Sequence, residues 1–338
     1  MMTYDEFKEK IKEGLQENFP DMDVEIHPAQ KVNRTIDEVI LKGVKIPTGM
    51  NISPAIPIAN AYEAYQHGEL LENIIESFTM QLKEYLEPTK QMLQDFSFEK
   101  EQIKKSIVFQ VIQTKQNQEL LADVPNRTYH DLSIIYRFVV EAGQDGISSA
   151  IIKKDFAERY DFTEPELFEL AKENTRRILP PKVISMREIL LEVAPPDIWE
   201  EILNEISPEQ TMYVITNGSK VNGAVSILYE DVLQELSEKL QSDLYILPSS
   251  IHEMIAVSCK MGSPNELAAM VQEINVQEVA LEERLSNNVY HFDRTSGTLS
   301  LATDYSDIRL DGLKEDEKVK TAPMEDIAKR LPNPGRSR

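Results

Sequence analysis

The sequence predicts an α+β fold with mixed, mainly antiparallel sheets and packed helices. Three observations carry that expectation. Two stretches, residues 1–18 and 163–179, place apolar residues at helical spacing behind a capping Thr. Two others, "TYHDLSIIYRFVVEAGQDGISSAIIKKDFAERY" and "MYVITNGSKVNGAVSILYEDVLQELSEKL", run in the order strand, turn, strand, helix. A closing pair, "NVYHFD" and "TLSLAT", is joined by the short turn "RTSG".

Taken in order, Tyr4, Phe7, Ile11 and Leu15 make the first helix amphipathic, with Thr3 as cap and Glu6 completing a capping box. "DVEIHPAQ" and "EVILKGVKI" read as strands, and "IPTGMNISPAIPI" as Pro-rich extended chain. Tyr62 and Tyr65 read as core packing, with an aromatic contact patch as the alternative. A helical pair is expected over 69–86 and again after Pro88. "KSIVFQVI" reads as a strand and "NQELLADV" as a short helix. From Thr128 the two strand-turn-strand-helix segments suggest a repeated β-β-α unit, with Gly146 or Gly223 opening the second strand. Between them, Thr163 caps a helix that has Pro165 in its first turn and Arg176 and Arg177 in its last. In "LYILPSSIHEMIAV", residues 244–257, two apolar runs flank a Pro-Ser-Ser corner, so a hairpin with both faces buried is expected. "NELAAMVQEIN" reads as a helix. At 338 residues the chain has room for two domains, expected over 1–127 and 128–303, with a largely disordered tail over 304–338.

Composition narrows function by exclusion. Apolar residues at 41% and charged residues at 28% fit a soluble globular protein. Asp plus Glu outnumber Lys plus Arg by 58 to 36, a net charge of -22, which disfavours nucleic acid and anionic membranes as partners. The same charge suits a protein partner or, as an alternative, imitation of nucleic acid by rows such as "WEEILNEISPE" and "VALEERL". "MMTYDEFKEKIKEG" does not read as a signal peptide, no run long and apolar enough to span a membrane is seen, and the single Cys259 fits a reducing cytoplasm.

Cofactor and metal motifs are missing: there is no dinucleotide Gly fingerprint, phosphate loop or nucleophile elbow. "HEMIA" lacks the second His of a zinc-protease helix, and "DIRLDG" lacks two ligands of a calcium loop. The five histidines, at 27, 67, 130, 252 and 291, have no ligand spacing. No cofactor and no metal is therefore expected. The candidate site residues are His252 as a general base, Glu253 as a carboxylate among apolar neighbours, and Asn217 in the Gly-rich turn "TNGSKVNG". Against this stands the reading that they fix tight turns; on a regular strand His252 and Glu253 point to opposite faces.

"ILPP", "MYVITN", "GAVSILY", "NVYHFD" and above all "LYILPSSIHE", with "ISPAIPI" and "YEAYQHG" earlier, resemble a bacterial domain-of-unknown-function family. The resemblance runs through nearly the whole chain to about residue 303. It implies kinship with proteins common in gut anaerobes and often found among mobile-element genes, and it assigns no activity and no site residue. The leading expectation is a cytoplasmic interaction or regulatory protein with an acidic protein-binding surface. An enzyme or small-molecule sensor, with its site at the 245–255 hairpin and the 217–223 turn, is the alternative.

Overall fold

A computed structural model describes residues 1–42, 55–143, 146–193, 195–199, 211–248, 250–305 and 310. Gln144 and Asp145 of the "QDG" turn, all but one residue of the calcium-like "DIRLDG", nearly all of the tail with "MEDIAKRL", all of "IPTGMNISP" and most of "WEEILNEISPE" lie outside them. The fold is α+β, and the described residues form three sheets whose strands pair antiparallel.

Helix α1 (Tyr4–Asn18) begins at the capping box read from sequence: Thr3 Oγ1 accepts the Glu6 N–H, and the Glu6 carboxylate accepts the Thr3 N–H at 2.8 Å. Its buried stripe is Phe7, Ile11 and Leu15. Strands β1 (Asp23–Gln30) and β2 (Thr35–Lys42) form a hairpin closed by Gln30↔Thr35, and β3 (Ala55–Pro57) joins the far side of β2. Asn33, with φ 63, makes the left-handed turn between β1 and β2. Helices α2 (Ala59–Gln66) and α3 (Leu71–Asp95) complete this layer. One apolar cluster holds it together, from Phe7 and Val24 to Phe78 and Leu82. Tyr62 belongs to that core, with its ring centroid 5.2 Å from Phe7, and Tyr65 packs at the edge. The expected helical pair is one helix that continues through Pro88, because a proline removes a single N–H and need not end a helix of this length.

After α4 (Lys100–Lys104), the second sheet has the order β4-β6-β5, with β7 also on β6. Its strands are β4 (Ile107–Gln113), β5 (Asn126–Tyr129), β6 (Leu132–Gly143) and β7 (Gly146–Ile151). The single long strand expected from Thr128 is instead a hairpin, turned by His130 at φ 56. Residues 127 and 128 lie within β5. Helix α5 (Gln118–Asp123) covers one face of this sheet through Leu120 and Leu121, packed with Ile112, Ile135 and Val124.

Helices α6 (Lys154–Arg159) and α7 (Glu164–Ile178) follow, with Thr163 capping α7 as the sequence indicates. The third sheet runs β13-β12-β10-β11-β9-β8. Its members are β8 (Pro181–Ser185), β9 (Tyr213–Asn217), β10 (Leu244–Leu247), β11 (Met254–Ser258), β12 (Tyr290–Asp293) and β13 (Thr298–Leu301). Helices α8 (Met186–Val193), α9 (Glu230–Leu240) and α10 (Pro264–Glu278) lie between its strands in sequence.

The expected hairpin of "LYILPSSIHEMIAV" forms, and both faces are buried. Leu244, Ile246, Met254 and Ala256 enter the main core shared with β4, β6 and α7, whereas Leu247 and Val257 pack with Leu267 and Val271 of α10. The second expected β-β-α unit differs from the first. Where "GAVSIL" was to be a strand, Gly223–Leu228 is a 3-10 helix that follows left-handed Asn222, with Gly223 through Ile227 buried. The first unit keeps its two strands and helix, β6, β7 and α6.

Candidate functional site

The three sequence candidates converge on one end of the third sheet. Strand β9 pairs with β11 through Ile215↔Met254, which brings the 217–223 turn beside residues 250–253. Lys220 and Asn222 have φ of 56 and 54, so the turn needs local support. Asn217, 1% exposed, supplies it: Nδ2 donates to the Val221 carbonyl at 2.8 Å, while Oδ1 accepts from Ser219 N at 3.1 Å and Ser219 Oγ at 2.8 Å.

His252 supports the same turn from the other side. Its Nδ1 accepts the Asn222 N–H at 3.3 Å, which puts the proton of the neutral ring on Nε2, 3.5 Å from Glu283 Oε1. Its carbonyl accepts from Thr216 Oγ1 at 2.8 Å, and its N–H donates to Ser250 Oγ at 3.0 Å. A general base needs a free lone pair facing substrate, and that of His252 already holds backbone. Glu253 is exposed and makes no hydrogen bond or ion pair among the described residues. Strand β11 starts only at Met254, so the alternation expected across 251–253 does not apply; Ile251 turns into the core instead.

Sequence reasoning missed a second polar cluster. Asp131, in the β5–β6 turn, accepts hydrogen bonds from Ser286 Oγ at 2.7 Å, Asn288 Nδ2 at 2.9 Å and the Tyr290 hydroxyl. The only local signal was the polar run "SNN" ahead of β12. Tyr290 is fully buried, and burial, then Asp131, pushes its phenol well above the usual range. The pair is a neutral phenol donating to a carboxylate, and it ties the second sheet to the third. A third knot joins both to the first layer. Asn33 donates Nδ2 to the carbonyls of Leu281 and Arg284 at 2.8 and 2.7 Å, and it exchanges bonds with Asn117 at 2.6 and 2.8 Å. Segment 281–290 therefore touches His252, Asp131 and Asn33 alike.

Several phenols share the displacement of Tyr290. Burial, then Glu230, moves Tyr129 up to about 12, and burial moves Tyr229 to about 12 as well. Below pH 10 these groups are neutral whether the chain is folded or not, and their contribution is fully present. Between 10 and about 12 the unfolded chain releases protons that the folded chain retains, so stability is lost as pH rises through that window. The two together contribute on the order of 5 kcal/mol. Denaturant melts across pH 9 to 12 are expected to show stability falling steeply above about pH 10, with the tyrosinate absorbance of the buried phenols appearing only as the chain unfolds. Ionisation of all phenols near pH 10 in a folded protein contradicts this.

No group of His, Cys, Asp and Glu able to hold a metal ion occurs among the described residues. Cys259 is pushed up to about 12 by burial and Asp243, so at neutral pH it is a thiol and not a nucleophile. Three clefts lie elsewhere and none is lined by His252, Glu253 or Asn217: about 770 Å3 beside α1, about 530 Å3 between α2 and α3, and about 300 Å3 beside α8 and β9. Among the described residues no helix is long and apolar enough to cross a membrane.

No curated protein and no solved structure matches the chain. A family model matches residues 4–294, from the start of α1 through β12, and so takes in all three polar knots. On that match the chain belongs to DUF5688, a family of unknown function.

Proposed function

We propose that this is a cytoplasmic interaction or regulatory protein of bacterial, mobile-element origin, whose acidic surface meets a protein partner. One observation carries the reading: Asn217 Oδ1 and Nδ2 and His252 Nδ1 are engaged in holding the 217–223 turn, so the lone pair a general base would need is taken up by backbone. Exposed carboxylates such as Glu253, Glu273 and Glu278 carry no described basic partner, and the net charge of -22 steers a basic surface toward them. Nucleic acid is not the expected ligand.

Affinity capture from the native host tests this, with nuclease treatment and with proteins and small molecules identified in one eluate. A stoichiometric protein is expected that survives nuclease and dissociates as salt rises well above about 0.1 M, where exposed charges are screened. An eluate free of protein but carrying a bound metabolite contradicts the proposal in favour of an enzyme or sensor.

A further inference from the structure

Arg137 lies on β6, opposite Val108 of β4 and Ile151 of β7. Residues two apart on a strand share a face, so Gln110 of β4 and Ser149 of β7 flank it on the α5 side of the sheet. The guanidinium reaches both. Nε donates to Ser149 Oγ at 2.9 Å, Nη2 to the Ser149 carbonyl at 2.8 Å, and Nη1 to Gln110 Oε1 at 3.1 Å. All three acceptors are neutral.

Some partly buried cations have a carboxylate, as Lys31 has Glu38 at 2.9 Å, Lys8 has Asp37 at 3.2 Å, and Arg127 has Glu164 at 3.0 Å. Arg137 has none among the described residues, in a chain with 58 acidic side chains to choose from. Burial alone pushes its guanidinium down from 12.5 to about 10. A cation taken from water without a counter-charge is costly, and neutral acceptors offset only part of that. Arg has five N–H groups, so two remain after these three bonds, on a planar fork shaped for paired oxygens. The residue as a whole is partly exposed. Repulsion from distant surface acids is screened beyond about 10 Å in 0.1 M salt.

We propose that Arg137, held in place by Gln110 and Ser149, is a binding site for an oxyanion, the phosphate or carboxylate group of a ligand. The site goes beyond the interaction reading and stands if that reading fails. Thermal melts of the full chain at fixed ionic strength test it, with sodium phosphate and sodium acetate as probes and chloride as reference. The wild type is expected to gain about 2 °C or more in Tm, saturating with probe concentration. Gln110→Glu supplies the missing carboxylate from within. It is expected to raise Tm in chloride and to abolish the saturable gain. Arg137→Gln is expected to abolish the gain too; if it fails to fold, Gln110→Glu decides alone. The general stabilisation that phosphate gives by exclusion from protein surfaces acts on every variant alike. Response to phosphate alone identifies a phosphoryl ligand, and response to acetate as well extends the site to carboxylates. No saturable gain in the wild type, or an equal gain in Gln110→Glu, overturns the proposal.

Discussion

Gly223→Ala is expected to destabilise the protein by about 3 kcal/mol or more. A Cβ at this position sits 2.9 Å from Thr216 Cα and closer still to the His252 carbonyl oxygen and Thr216 Oγ1. Two of these neighbours are backbone, in β9 and in the segment leading to β11, and cannot swing aside as a flexible side chain does. The approach exists because left-handed Asn222 turns the chain back onto the sheet, where Ala224 N donates to the Ile251 carbonyl at 3.2 Å. Relief therefore means opening the turn that Asn217 and His252 hold. Urea melts read the loss directly, and the 3-10 segment is the first place where faster amide exchange is expected. A change below about 1 kcal/mol contradicts the close approach.

The second large effect is expected at Asp131. Replacing it with Ala removes the acceptor of three hydrogen bonds and strands the Tyr290 hydroxyl in a fully buried position. Each buried donor left without a partner costs about 1–3 kcal/mol, so a total of about 3 kcal/mol or more is expected. Tyr290→Phe removes one donor and leaves Asp131 with two, so its cost is expected to be smaller, about 1–2 kcal/mol. In the double variant the stranded hydroxyl is gone, and the two losses should sum to more than the measured one by about 1 kcal/mol. Strict additivity contradicts a direct bond between them.

These two sites show what was legible in the sequence and what was not. Thr3 with Glu6, and Thr163 with Glu166, are caps whose partners lie three residues away, and both were readable. So were the alternating faces of 244–247, since burial on both sides of a strand leaves an apolar run. Asp131 finds Ser286 and Tyr290 at separations of 155 and 159 residues, and Asn33 finds Leu281 at 248. No local pattern marks such pairings. "GAVSIL" reads as a strand by composition, but the left-handed residue before it and the carbonyls it meets decide for a 3-10 helix. At His252, the residue type suggested chemistry and the neighbours assign it to backbone support.

The central claim, that His252 is architecture and the protein works by association, is tested most directly with His252→Asn. Asn Oδ1 takes the place of Nδ1 and can accept the Asn222 N–H, while the imidazole and any proton transfer are lost. The measurement is capture of the partner by this variant beside the wild type, with stability determined on the same samples. Undiminished partner capture and stability within about 1 kcal/mol of the wild type is the predicted result. A folded His252→Asn that loses a bound metabolite or a turnover seen in the wild type contradicts it, and returns the 245–255 hairpin to the role of an active site.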